Sequence, residues 1–365
     1  MSASEYLAAN SERQGERRLR LPYECLRSIP EGINEVRVWH DQILECDRVG
    51  KRIDISSLEG DDALPEPATL QSIKHKNVVP IIAAAEVEGF PPPMRVVEII
   101  TPYFERGSIT DALLRGESFA ASEAVAITQA ILRGLAQIHE VHKICHRDMK
   151  SGNVLLCPDY RARVADLGLA GRFDDQGEVA ALNNPTLYSP FEFARTKRLS
   201  RASDLYAVGL VFRELIGGAF PYAKYPMSLV VERLAAGKSP LYAADLQLPI
   251  WATRSMRRVY SKATHRDAGQ RFQTAQEMDE ALASVIAVDW VEVEPNRWEA
   301  PFVHGGRRIA VEARPATRLG GFRLRIQTYA GRGWRRTGQV VDVSDLTGSA
   351  ARKVFDQAST MARVR

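Results

Sequence analysis

Residues 146–156 read HRDMKSGNVLL, and the interpretation of the whole chain starts from this stretch. It places a carboxylate (Asp148), a lysine (Lys150) and an amide (Asn153) within six residues, directly before the apolar run 154–156. A short apolar run of this kind predicts a buried strand. The stretch therefore concentrates a proton acceptor, a cation and an amide in one loop that leads into the core.

A second acidic cluster follows at residues 165–170, which read ADLGLA and contain Asp166. Transfer of a phosphoryl group needs a hydroxyl held in line, metal ions that offset phosphate charge, and a carboxylate near the attacking oxygen. The two clusters supply these residue types. The alternative, two solvated surface loops, does not account for both patterns occurring at this spacing.

Together the clusters resemble the catalytic loop, H-R-D-x-K-x-x-N, and the metal-binding D-F-G motif of protein kinases, with leucine in place of phenylalanine. The resemblance implies that Asp148 orients the substrate hydroxyl and accepts its proton, and that Lys150 steadies the γ-phosphate of ATP. Asn153 and Asp166 are then the ligands of Mg²⁺ (or Mn²⁺). A lysine at position 150 is typical of the serine/threonine-specific members.

The same resemblance assigns cofactor-binding residues in the first third of the chain. Lys51 falls at the lysine of the third small-lobe strand, and Glu66 at its partner glutamate, so that an ion pair aims the lysine at the α- and β-phosphates. Thr101 corresponds to the residue before the hinge. Tyr103 and Phe104 lie in the hinge, which would bind adenine through backbone groups.

The periodicity predicts an α+β chain that ends in a small sheet-and-helix domain. The resemblance implies that the rest adopts the bilobal protein-kinase fold, with a small β-rich N-lobe and a large α-helical C-lobe. Alternating and apolar runs mark residues 21–105 as the N-lobe, and helical spacing marks 106–288 as the C-lobe. Two-residue periodicity returns in 289–365, the predicted accessory domain. Residues 1–20 are expected to be a mobile tail.

Two segments depart from the family pattern. The phosphate-covering loop should be rich in glycine, whose backbone N–H groups can approach phosphate closely. Residues 28–34 read SIPEGIN and offer only Gly32. This places tight ATP binding in question.

The activation segment contains no Ser, Thr or Tyr between Leu169 and Asn184. Arg147 would ordinarily bind a phosphate in that segment. We expect a carboxylate to replace that phosphate permanently, and the candidates are Asp174, Asp175 and Glu178. Phosphorylation in this stretch should then not be needed.

Composition sets the cellular context. Of 365 residues, 45% are hydrophobic and 26% are charged, which is ordinary for a soluble globular protein. The four cysteines form no C-x-x-C pair, so neither a zinc site nor a disulfide framework is predicted. With no signal peptide or membrane span in the pattern, we expect a cytoplasmic signalling kinase of the bacterial type.

Charge is unevenly distributed. Residues 290–365 hold 14 Lys/Arg and seven Asp/Glu, a net +7 within a chain of net +4. Basic strands that also carry Trp290, Trp298 and Trp334 are one way to bind single-stranded nucleic acid. The other interpretation is a solvated arginine face on an accessory or dimerisation domain, so the partner is either nucleic acid or protein.

The resulting hypothesis is a protein kinase that transfers the γ-phosphoryl group of ATP to Ser/Thr hydroxyls of a protein substrate, away from any membrane. The alternatives are a pseudokinase acting as a protein-binding scaffold and a small-molecule kinase of related fold. The glycine-poor loop favours the scaffold. The presence of Asp148, Lys150, Asn153 and Asp166 opposes it.

Overall fold

The computed structural model describes residues 22–29, 35–54, 71–159, 161–302, 306–316, 320–329 and 331–363. The chain divides into two compact units. Of the described residues, 22–54 and Ile81–Tyr103 form the first unit, and 71–80 together with those from Phe104 onward form the second. The predicted tail at 1–20, residues 30–34 of the glycine-poor loop, and Glu66 lie outside the described residues.

The first unit is an antiparallel sheet in the order β1-β2-β3-β5-β4. In β5, Val96, Glu98 and Ile100 point to the buried side, which is the alternation expected of a strand with one face on a core. Glu98 is satisfied there, because Trp39 Nε1 and Arg52 Nε donate to its two oxygens. The strands are β1 (Tyr23–Ile29), β2 (Val36–Asp41), β3 (Cys46–Asp54), β4 (Ala83–Glu86) and β5 (Val96–Pro102).

The second unit is mainly helical, so the predicted α+β class is confirmed. Helix α2 buries Ile127, Ile131 and Leu135 on one face, as their spacing predicts. Helix α4 is buried on nearly every side, which makes it the central support of this unit. The helices are α1 (Ile109–Leu114), α2 (Ala121–Ala136), α3 (Glu192–Arg195), α4 (Arg201–Gly217), α5 (Met227–Ala235), α6 (Arg254–Ala263), α7 (Ala275–Ala283) and α8 (Ser349–Arg363).

Three two-stranded ribbons hold the loops between these helices. The apolar run 154–157 forms a strand that pairs with the strand leading to Asp166, so the two acidic clusters flank one ribbon. The pairs are β6 (Ile144–Cys145) with β9 (Gly171–Arg172), β7 (Val154–Cys157) with β8 (Arg161–Val164), and β10 (Glu178–Ala180) with β11 (Arg198–Ser200).

The C-terminal segment forms a six-stranded antiparallel sheet covered by α8. Phe355 of α8 is fully buried and meets Trp290 and Trp298 edge-on. Trp251 and Ile286, from the helical part of the same unit, pack against this core. The strands are β12 (Val291–Glu294), β13 (Arg297–Pro301), β14 (Arg308–Pro315), β15 (Phe322–Tyr329), β16 (Trp334–Arg336) and β17 (Val341–Val343).

Among the described residues, no helix combines the length and the apolar character that crossing a bilayer requires.

Candidate functional site

The loop between β6 and β7 brings three predicted residues into contact. Lys150 Nζ lies 2.7 Å from Asp148 Oδ2, and Asn153 Nδ2 donates to the same oxygen at 3.0 Å and to the Asp148 carbonyl at 2.8 Å. Asp148 is 6% exposed. A carboxylate held this way is fixed in direction, and its second oxygen remains available to an incoming hydroxyl.

Asp204, in the first turn of α4, supports this loop from below. Its carboxylate accepts from the backbone amides of His146 (2.8 Å) and Arg147 (3.0 Å), and His139 Nε2 lies 2.8 Å away. Burial opposes ionisation of Asp204, but the hydrogen bonds and charge of His139 and His146 outweigh it and lower the pKa of the carboxyl. Asp204 thus braces the backbone of the catalytic loop.

Two residues of the site adopt left-handed backbone conformations without being glycine. Arg147 has φ of 64° and Asp166 has φ of 59°. Such conformations are uncommon for side-chain-bearing residues and persist where the surrounding contacts hold them. Arg147 is held by donating to the carbonyls of Leu169, Ala170 and Ala180.

Gly171 makes this arrangement of Arg147 possible. A Cβ at position 171 would lie 2.7 Å from Arg147 Cζ and 2.7 Å from Val179 Cγ2, both far inside van der Waals contact. The absence of a side chain at Gly171 therefore allows the guanidinium to reach the backbone of the activation segment.

The donor set around Asp148 fits a magnesium ion carried by a nucleotide. Mg²⁺ is generally bound by one or two protein oxygens, with substrate phosphates and water completing its shell. Asp166 supplies a carboxylate. Asn153 uses its Nδ2 group internally, and its side-chain oxygen makes no hydrogen bond to any described residue. Within the described part of the chain no three acidic, His or Cys side chains form a metal cluster.

The expected pairing of Arg147 with an activation-segment carboxylate is wrong for Asp174 and Glu178. Both pair with Arg198 of β11 instead, Glu178 at 3.2 Å. The reason is the ribbon β10–β11, which sets Glu178 opposite Ser200 and Ala180 opposite Arg198. Arg147 reaches this segment through backbone carbonyls, which any residue supplies.

A buried polar network beside the loop was not predicted. Ser151 Oγ lies 2.7 Å from the Tyr188 hydroxyl and 2.7 Å from Thr110 Oγ1. Tyr188 and Tyr222 both donate to Glu214 of α4. Burial raises the pKa of Glu214, and burial together with the Glu214 charge raises the pKa of Tyr188 well above its usual range.

The one sequence signal for this network is the position of Ser151 inside the catalytic loop. Its partners are 37 and 41 residues away in sequence, and nothing in their local patterns connects them. The network ties the loop that bears Asp148 to α4 and to the segment around Tyr188.

The helical unit contains a buried ion pair. Arg271 is 2% exposed and contacts Glu192 through both guanidinium nitrogens, at 2.7 and 2.8 Å. Ser203 also donates to this carboxylate at 2.8 Å. A bidentate, fully satisfied pair of this type fixes the start of α3 against α4.

Four of the five predicted nucleotide-binding residues lie in the described part of the chain. Lys51 lies in β3 opposite Ile99, and Thr101 Oγ1 donates to the Val49 carbonyl at 3.4 Å. Tyr103 is 38% exposed. Phe104 begins the second unit, where Arg163 stacks over its ring at 5.8 Å. Glu66 lies outside the described residues, so its ion pair with Lys51 stays a prediction.

Two of the three tryptophans of the basic C-terminal segment are buried and cannot stack on bases, and Trp334 is half-buried with the Arg297 guanidinium 4.8 Å from its ring centroid. Trp290 and Trp298 are 6% and 7% exposed and belong to the core. Several arginines of the strands are already paired, as in the contacts Arg323–Asp342, Arg325–Glu312 and Arg308–Glu299. The aromatic and basic residues of these strands therefore give no support to the nucleic-acid interpretation.

Comparison with known proteins agrees with this geometry. The chain is 25% identical over 229 residues to a probable serine/threonine-protein kinase of Dictyostelium discoideum, covering 62% of this chain and 43% of that protein. It is 32% identical over 186 residues to serine/threonine-protein kinase BRI1-like 1 of Arabidopsis thaliana (47% and 15%). It is 34% identical over 199 residues to activin receptor type-2B of Xenopus laevis (49% and 38%).

The chain thus spans less than half the length of each of these relatives. The family model of the protein kinase domain matches residues 42–282, well over half of the chain. This range includes Asp148, Lys150, Asn153 and Asp166, the residues whose loops the ribbon β7–β8 joins. The chain belongs to the protein kinase family.

Proposed function

We propose that this protein is an active serine/threonine protein kinase that uses ATP and Mg²⁺ (or Mn²⁺). The observation that carries the proposal is the contact of Lys150 and Asn153 with the carboxylate of Asp148. An inactive scaffold has no need to fix a buried carboxylate with a cation and an amide at once. Burying the Asp148 carboxylate costs free energy unless its charge is compensated by such partners.

The proposed reaction moves one phosphoryl group. The substrate hydroxyl oxygen attacks the γ-phosphorus, the bond to the β-phosphate oxygen breaks, and ADP leaves. Asp148 orients the hydroxyl and accepts its proton, while Lys150 stabilises charge on the transferred group. Bound magnesium, held by Asn153 and Asp166, would offset the negative charge of the phosphates.

The serine/threonine preference rests on Lys150 and on the names of the relatives. Its Nζ is directed at Asp148, where it would meet the γ-phosphate next to a short hydroxyl side chain. Lys51 and Glu66 are assigned to the α- and β-phosphates by family resemblance. Thr101, Tyr103 and Phe104 are assigned to the adenine side of the nucleotide in the same way.

The test is incorporation of labelled phosphate from ATP·Mg²⁺ into the purified chain and into a generic basic protein. Asp148→Asn should lower the rate by roughly 10²–10⁴-fold, the usual contribution of a positioned general base. Asp166→Ala should abolish it by removing a metal ligand. Asp159→Asn is the matched control, since Asp159 is exposed on the turn after β7 and should leave the rate unchanged.

Retention of full incorporation by Asp148→Asn would refute the proposed role. If the wild-type chain incorporates no phosphate with either metal and nucleotide causes no thermal shift, the proposal fails. The protein-binding scaffold suggested by the glycine-poor sequence at 28–34 would then be the better account.

A further inference from the structure

A second concave site lies on the second unit, lined by the N-terminal half of α6 and one face of α8. Its volume is about 810 Å³. This falls in the range of roughly 300–1,000 Å³ typical of small-molecule sites. Of its 13 lining residues, only Ile286 has a purely hydrocarbon side chain.

The lining is strongly basic, and the charges come from both helices. Helix α6 contributes Arg254, Arg257 and Arg258, and α8 contributes Arg352 and Lys353. Asp356 is the one acidic residue among the lining side chains. The cleft therefore carries a formal charge of +4.

Both carboxylate oxygens of Asp356 already make contacts within the protein. Its Oδ1 accepts from the Arg254 backbone amide at 2.8 Å, at the start of α6, and its Oδ2 pairs with Arg257. Asp356 thus neutralises Arg257 and accepts a hydrogen bond at the N-terminus of α6. The side chains of Arg254, Arg258, Arg352 and Lys353 form no ion pair with any residue in the described part of the chain.

Four uncompensated cations on facing elements repel one another, and an anion between them would remove that repulsion. A single phosphate ion would not fill a cleft of about 810 Å³. Hydroxyl groups of Ser349 and Thr360 add further polar lining. Guanidinium groups are well matched to phosphate oxygens, which they bind through two parallel hydrogen bonds.

We propose that this cleft binds a small soluble anion that carries two or more phosphate groups. The ligand would bridge α6 and α8 and so stabilise the packing of the C-terminal sheet and helix on the helical lobe. The inference rests on the cleft alone and does not depend on the proposed phosphotransfer activity.

The test is calorimetric titration of the full chain with inorganic tripolyphosphate, without Mg²⁺ and at about 0.15 M ionic strength. The variant Arg258→Gln/Lys353→Gln removes two exposed cations, one from each helix. Losing two charge-assisted contacts should weaken binding by tenfold or more. Arg335→Gln/Arg336→Gln is the control, because it removes two exposed charges from β16 and should leave the affinity within about twofold.

Two further titrations distinguish binding in this cleft from binding of anions elsewhere on the protein. Tripolyphosphate should still bind a Lys51→Ala variant, in which the nucleotide-phosphate contact is removed, and should raise the melting temperature of the wild type by mass action. Inorganic phosphate at the same ionic strength should bind more weakly than tripolyphosphate. Equal affinity of the wild type and the cleft variant would overturn the proposal. So would binding of a phosphoserine peptide or a single-stranded RNA with no binding of tripolyphosphate.

Discussion

At the scale of single residues, Asp204 supports the catalytic loop directly. It is 2% exposed and accepts hydrogen bonds from two successive backbone amides. Asp204→Asn should destabilise the protein by about 3 kcal/mol, since one amide cannot replace a carboxylate that serves several donors. Urea unfolding followed by tryptophan fluorescence measures the loss. Asp159→Asn, an exposed change on the turn after β7, is the control.

Asp204 also makes the free energy of unfolding depend on pH, and the direction of its pKa shift sets the sign of that dependence. Because the folded-state pKa of Asp204 is below its ordinary value, its contribution to stability is fully present above the unfolded pKa and is lost as pH falls through the folded pKa. The difference in unfolding free energy between wild type and Asp204→Asn should therefore narrow from pH 7 to pH 3. An unchanged difference would show that the charge of Asp204 is not what stabilises the loop.

Tyr188 offers a second test at this scale. Tyr188→Phe removes the hydroxyl that connects Ser151 to Glu214 and leaves a buried carboxylate with one tyrosine donor fewer. We expect a loss of about 1–3 kcal/mol in the free energy of unfolding. The matched change Tyr242→Phe, at a side chain that is 36% exposed, should cost less than about 0.5 kcal/mol. Equal losses in both variants would contradict the network.

At the scale of elements, the activation segment is held by the ribbon β10–β11 and by two arginines, Arg147 and Arg198. Arg198 pairs with Asp174 and Glu178 across β10–β11. Arg198→Ala should accelerate hydrogen exchange of residues 171–181 by about fivefold, because half-exposed ion pairs are worth about 1 kcal/mol. Arg195→Ala, exposed on α3 and outside the ribbon, should leave exchange unchanged.

The sequence of the activation segment also predicts that phosphorylation within it is not required for activity. Arg147 is engaged by backbone carbonyls, and no Ser, Thr or Tyr lies between Leu169 and Asn184. We expect phosphatase treatment to leave labelled-phosphate incorporation into the basic protein unchanged. A required phosphosite inside this stretch, found by mass spectrometry, would contradict that expectation.

At the scale of the whole molecule, the C-terminal sheet and α8 share a core with the helical lobe. Phe355 is fully buried between Trp290 and Trp298, and Trp251 of the preceding segment packs on the same cluster. Phe355→Ala should cost about 3–5 kcal/mol. Arg363→Ala on the exposed last turn of α8 should cost less than about 0.5 kcal/mol. Thermal unfolding with fluorescence detection distinguishes the two. Similar midpoints would mean that α8 adds nothing to the fold.

Much of the fold followed from local patterns. The face of α2 formed by Ile127, Ile131 and Leu135 has helical spacing, and the run 154–157 reads as a strand. The predicted pairing of Arg147 with Asp174 or Glu178 was wrong, because both carboxylates pair with Arg198 across β10–β11, and this depends on strand register between residues about 20 positions apart. The network of Ser151, Tyr188 and Glu214 was missed for the same reason.

The sequence by itself determined the family and the candidate machinery, because Asp148, Lys150, Asn153 and Asp166 are spaced within short loops whose geometry is local. The tertiary structure decided which charges are used internally. It buried Trp290 and Trp298 and paired Arg198 with the activation segment. It also left four cations of α6 and α8 around one cleft, since charges distant in sequence meet only when the helices that carry them pack together.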